Sequence, residues 1–74
     1  MGSNRDEARV EALRLLYEFK NCPQNEKNHW RLQLDSALDK LRSGTNISRE
    51  EAVQFLNRKY YPEYRRRRKK SEGL

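Results

Sequence analysis

Trp30-Arg31-Leu32-Gln33-Leu34-Asp35-Ser36-Ala37-Leu38-Asp39-Lys40-Leu41-Arg42-Ser43-Gly44-Thr45-Asn46-Ile47-Ser48-Arg49-Glu50-Glu51-Ala52-Val53-Gln54-Phe55-Leu56 reads as helix, stop, start, helix. Trp30, Leu34, Ala37, Leu38 and Leu41 recur at the spacing of one helical stripe, and Leu32 falls on the far side. Lys40 and Arg42 occupy the last turn, where cations suit the helix dipole. Gly44 stands where a left-handed residue closes a helix. Ser48 and Glu51 form a capping box, in which the serine hydroxyl accepts from the amide three residues on. Ala52, Val53, Phe55, Leu56 and Tyr60 then continue an apolar face. The spacing predicts antiparallel helices over about 29–43 and 48–61, joined to the upstream chain by a polar loop over residues 23–28.

Upstream, residues 4–21 are rich in helix formers and end at Cys22-Pro23, because the residue before proline is pushed out of the helical region. Ala8, Ala12, Leu15, Leu16 and Phe19 share one face of this segment. Val10, Leu13 and Tyr17 lie nearly opposite. A helix apolar on two sides needs two packing partners. One is the rest of the chain. The second face is assigned to a protein interface, and a homodimer is one way to cover it. Downstream, Pro62 ends or kinks the third helix. The expected fold is all-α: a compact three-helix bundle over residues 1–64, followed by a polybasic tail, 65–74, that is disordered or extends the helix. Repulsion along Arg65 to Lys70 favours disorder in the free protein.

The chain has 74 residues and formal net charge +6, with 34% hydrophobic and 38% charged residues. A core of this size supplies only about 3–5 kcal/mol without a staple or partner. No apolar run is long enough for a transmembrane helix, and Met1 to Asp6 lack the apolar region of a secretory signal. One cysteine excludes an internal disulfide, and Cys22 with His29 cannot supply four zinc ligands. These features place the chain inside the cell, in the cytoplasm or in a nucleus if the host has one. No cofactor is implied.

The charge is segregated. Residues 1–57 carry nine basic and nine acidic side chains, so the whole excess lies in residues 58–74. There Arg58, Lys59, Arg65, Arg66, Arg67, Arg68, Lys69 and Lys70 face only Glu63 and Glu72. Closely spaced cations release condensed counterions from a polyanion. Tyr61 and Tyr64 add aromatic faces that unpaired bases stack on. These ten residues, Arg58, Lys59, Tyr61, Tyr64 and Arg65 to Lys70, are the candidate site. The pattern points to a small non-enzymatic regulatory protein: the tail binds nucleic acid, DNA or RNA, and the body self-associates or docks on a protein. The alternative is an interaction module, an inhibitor or adaptor, whose tail clamps an acidic protein partner. A basic run of this kind also fits a nuclear localisation signal or an anionic membrane.

Other patterns are weaker. Segments two and three have the order of a helix-turn-helix, with Glu50, Gln54, Asn57, Arg58 and Tyr61 on the outward face. Acidic residues at the start of a recognition helix argue against that use. Catalysis is not expected: Cys22 and His29 are seven residues apart with no orienting group. Asp35 and Asp39 read as a solvated pair with Arg31 and Arg42 in reach.

Overall fold

The structure is a computed structural model that describes residues 4–72; the chain ends at 1–3 and 73–74, which close the expected domain and tail, lie outside the described residues. It is all-helical: α1 (Asn4–Asn21), a single 3-10 turn (Gln24–Glu26), α2 (Lys27–Leu41), α3 (Arg49–Lys59) and α4 (Tyr61–Glu72). The expected three helices are therefore four among the described residues. The polar loop is shorter than expected, because the 3-10 turn leads straight into α2 at Lys27.

The α2–α3 corner follows the local signals. Gly44 takes φ +82°, and a Cβ there would meet nothing within 4 Å, so the requirement is backbone conformation rather than space. The Ser48 hydroxyl accepts from the Glu51 amide at 3.1 Å. Asp39 clasps the corner. It accepts from Arg42 Nε at 3.1 Å and from both Nε and Nη2 of Arg49, at 2.9 and 2.7 Å. Arg42 also donates to the Ile47 carbonyl at 2.8 Å. The two guanidinium groups, Arg49 foremost, hold the Asp39 carboxyl down to about 2 from its ordinary value of 3.8. A carboxyl depressed in the folded state stabilises the fold above its unfolded value, and that contribution is lost as pH falls from about 4 through about 2. Asp39→Asn is therefore expected to lose less thermal midpoint than wild type across that interval. Equal losses, followed by circular dichroism, would show that the clasp contributes nothing.

The core draws on every helix: Ala12, Leu13, Leu15 and Leu16 from α1, Leu34, Ala37 and Leu38 from α2, Ala52 and Leu56 from α3, and Tyr61 from α4. Trp30 and Leu41 end the α2 stripe half-buried against it, and Leu32 is exposed as expected. Phe55 departs from expectation. It is 41% exposed and stands beside Tyr60 with ring centroids 5.6 Å apart.

The extra helix comes from proline. Pro62 has no N–H to give the Arg58 carbonyl, and its ring would crowd that carbonyl, so α3 stops at Lys59. Within the first turn of a new helix the missing N–H costs nothing, and proline's fixed φ is already helical. The chain turns at Tyr60, whose amide still donates to Leu56 and whose carbonyl accepts from Tyr64. The turn resets the helical phase. Tyr61 enters the core at 8% exposure, and Tyr60, expected there, is half-buried.

Of the two expectations for the basic run, disorder or a continued helix, the structure takes the helix over Arg65 to Lys70, as a new helix rather than an extension of α3. Like-charge pairs such as Arg65/Lys69 and Arg66/Lys70 cost a few tenths of a kcal/mol each. Burying a large side chain such as Tyr61 gains about 1.5–3 kcal/mol, so the anchor outweighs the repulsion. The remaining charges suit a helix: Glu63 lies in the first turn, Lys69 and Lys70 in the last, and Arg67 pairs with Glu63 at 3.0 Å.

This helix also supplies the second partner that α1 requires. Tyr64 meets Tyr17 edge-on at 6.2 Å, and the Arg68 guanidinium lies 4.6 Å over the Tyr17 ring and 3.8 Å from Glu18. Leu13 is buried and Tyr17 half-buried beneath it.

Candidate functional site

Helix α4 distributes its cations by helical phase. At about 100° per residue, Arg68 follows Tyr64 onto the face that meets α1, and its N–H reaches toward the Tyr64 hydroxyl at 3.4 Å. Arg65, Arg66, Arg67, Lys69 and Lys70 are exposed. Arg67 is engaged by Glu63. Among the described residues no ion pair engages Arg65, Arg66, Lys69 or Lys70. Their charges face solvent on a fixed scaffold.

The other site residues separate from this group. Arg58 and Lys59 are exposed at the end of α3. Lys59 Nζ stands 5.6 and 5.7 Å from the ring centres of Phe55 and Tyr60, and Arg58 borders a shallow hollow shared with Ile47, Gln54 and Phe55. Tyr61 is in the core and Tyr64 is half-buried against Tyr17, so both rings serve the fold in this conformation. Of the expected interface residues Val10, Leu13 and Tyr17, only Val10 is substantially exposed, at 53%. The helix-turn-helix face is likewise reduced. Tyr61 is buried, and Asn57 is half-buried and accepts from Lys20, which leaves Glu50, Gln54 and Arg58 outward.

Two features were not marked in the sequence. Lys20, in the last turn of α1, lies beside the start of the basic run: its ammonium donates to Asn57 Oδ1 at 2.7 Å and sits 4.3 Å above the Tyr61 ring. Burial first, and the nearby positive charge of Arg65 second, push the Lys20 ammonium below its ordinary value. No sequence motif joins Lys20 to Arg65; only the docking of α4 on α1 does. The second feature is an apolar groove of about 270 Å³ between α1, the α2–α3 corner and α3, lined by Leu41, Ile47, Phe55, Leu56 and Tyr60. Arg9 borders it, with its guanidinium 4.7 Å over Tyr60. Phe55 lies about 100° from Leu56 around the helix, at the edge of the apolar face on which the spacing places it.

The groups considered for catalysis have local partners. The Cys22 thiol donates to the Phe19 carbonyl at 3.3 Å, and His29 packs edge-on against Trp30 at 5.1 Å. Among the described residues no cluster of three or more His, Cys, Asp or Glu side chains could hold a metal, and no helix is long and apolar enough to cross a membrane. The site is a surface of fixed positive charge, able to hold anions by Coulomb attraction and guanidinium hydrogen bonds. The chain matches no protein family, no curated protein and no solved structure.

Proposed function

We propose that this chain is a small non-enzymatic accessory protein that binds nucleic acid electrostatically through α4. One observation carries the reading: Arg65, Arg66, Lys69 and Lys70 project from an ordered helix with no carboxylate paired to them among the described residues. Such a helix presents charge without the ordering cost that a disordered tail incurs on binding. Its diameter, about 10–12 Å with side chains, is that of the major groove of duplex DNA.

The test is a salt titration of the full chain against labelled duplex DNA and single-stranded RNA. Contact with about four to six phosphates gives log K against log salt a slope of about −4 to −5 on duplex DNA, and a shallower one on a single strand. Absence of binding to either ligand near physiological salt overturns the reading.

A second reading rests on the groove beside Phe55. Ile47 and Phe55 are 38% and 41% exposed, and Arg9, Arg58 and Lys59 stand around them against a single carboxylate among the described residues, Glu51. That combination suits an acidic protein partner with apolar anchors. In that case the chain is an inhibitor or adaptor and α4 reinforces the clamp. Saturable binding to one acidic protein, with weak nucleic-acid binding, is the outcome that favours it.

A further inference from the structure

Lys20 and Arg65 carry like charges on different helices, yet the fold brings them to the same end of the α1–α4 junction: the Lys20 ammonium lies 4.3 Å over the Tyr61 ring, and Arg65 follows Tyr61 by one turn of α4. Burial first, and the positive charge of Arg65 second, lower the proton affinity of Lys20. The neighbours that fix Lys20 are neutral: the Asn57 side-chain oxygen at 2.7 Å and the Tyr61 ring at 4.3 Å. Tyr61 is buried and Asn57 half-buried, so both are held by the packing. An ammonium has three donors, and Asn57 takes one of them. The others remain for a ligand, and no carboxylate is ion-paired to Lys20 or Arg65 among the described residues. Lys20 on neutral supports, with the exposed Arg65 one turn past Tyr61, suits an anion that accepts from both, and a phosphate group has the oxygens to do so.

We propose that Lys20, held at the end of α1, and Arg65, one turn into α4 from the Tyr61 ring beneath it, form a phosphate-binding pair that seats the nucleic-acid backbone against the body of the protein. The path then continues to Lys69, one helical turn beyond Arg65. This proposal rests on the nucleic-acid reading of α4 and adds to it: the body, through Lys20, takes part in binding, and the backbone follows the α1–α4 junction.

Lys20→Gln tests it, with Lys40→Gln as the charge-matched control. The neutral amide that replaces the Lys20 ammonium can still donate to Asn57. Lys40 borders the groove between α1 and α2, beside Glu11, on the face of α1 turned away from α4. In the full chain, Lys20→Gln is expected to weaken duplex binding about fivefold near physiological salt and to make the salt slope shallower by about 1. Lys40→Gln leaves both unchanged. Equal effects of the two substitutions overturn the proposal, since net charge alone would then explain them.

Sodium pyrophosphate provides a readout independent of nucleic acid. The wild-type chain should show saturable chemical-shift changes at the Asn57 side-chain amide and the Arg65 backbone amide, lost in Lys20→Gln while the thermal midpoint is kept. No saturable change at these positions overturns the proposal. If pyrophosphate shifts them and nucleic acid does not bind, the pair stands as a phosphate site and the nucleic-acid reading of α4 fails. Tighter binding to phosphatidylserine vesicles than to either nucleic acid overturns the assignment of the phosphate to a nucleic-acid backbone.

Discussion

Leu56→Ala is expected to bring the chain close to its unfolding midpoint under conditions where wild type is folded. Leu56 is fully buried, and with Leu16 and Leu38 it forms the centre of the core, one residue from each of the first three helices. Truncating a buried leucine costs about 2–5 kcal/mol, from lost transfer energy and from the cavity left behind. A chain of this length has only about 3–5 kcal/mol of core stability to lose. Urea denaturation followed by circular dichroism reads the effect as a large fall in midpoint. Phe55→Ala is the matched control: its side chain is 41% exposed, so truncation leaves no enclosed cavity. Equal midpoint losses in the two variants would mean that Leu56 is not at the centre of the fold.

That prediction rests on a part of the fold that local chemistry specifies well. The α2–α3 corner was legible because each signal in it acts over a few residues: the stripe to Leu41, the positive φ of Gly44 and the Ser48 cap need no distant partner. The start and end of α1 were legible for the same reason. Past Leu56 that locality ends, because Pro62 resets the helical phase. Tyr60 is in phase with Leu56, but the turn imposed by Pro62 delivers Tyr61 to the core instead. The end of a helix at Pro62 is visible in the sequence; helix beyond it is one of the two readings of the tail, and the structure takes it from Tyr61.

Of the two readings of the basic run, disorder and helix, repulsion favours disorder and the structure takes the helix. Repulsion was counted along the sequence, whereas the folded chain spreads those charges around a helix and gives two of them partners. Arg67 meets Glu63, and Arg68 meets Tyr17 and Glu18. Glu18 and Tyr17 lie some fifty residues earlier, so their pairing with Arg68 depends on tertiary docking. The same docking explains the surplus apolar face on α1. Its need for a second partner was legible; that α4 of the same chain supplies it was not. Lys20 belongs to this class too, an ordinary last-turn lysine in sequence and a neighbour of Asn57 and Tyr61 in the fold.

The docking of α4 also decides how its charge is best removed. Truncation after Tyr64 would strip Arg68 from Tyr17 and Glu18, so lost binding could reflect a damaged body. Replacing Arg65, Arg66, Lys69 and Lys70 together by Gln removes four exposed charges and spares Tyr61, Tyr64, Arg67 and Arg68. Gln has nearly the helix propensity of Arg and Lys, so α4 should persist. It should also tighten slightly, since the like-charge pairs at i,i+4 disappear. Each lost phosphate contact removes about 0.9 from the salt slope, so four of them flatten it by about 3.6 and lower duplex affinity on the order of a thousandfold near physiological salt. Fluorescence anisotropy against labelled duplex DNA, with circular dichroism on the same samples, reads both quantities. Unchanged helicity with a loss of this size places the binding energy on the outer faces of α4. A loss below about tenfold would mean that those four side chains are not the phosphate contacts, since counterion release from four sites cannot be that small at this salt. The surviving affinity would then have to come from Arg58, Lys59 and the paired arginines, a different binding face from the one proposed.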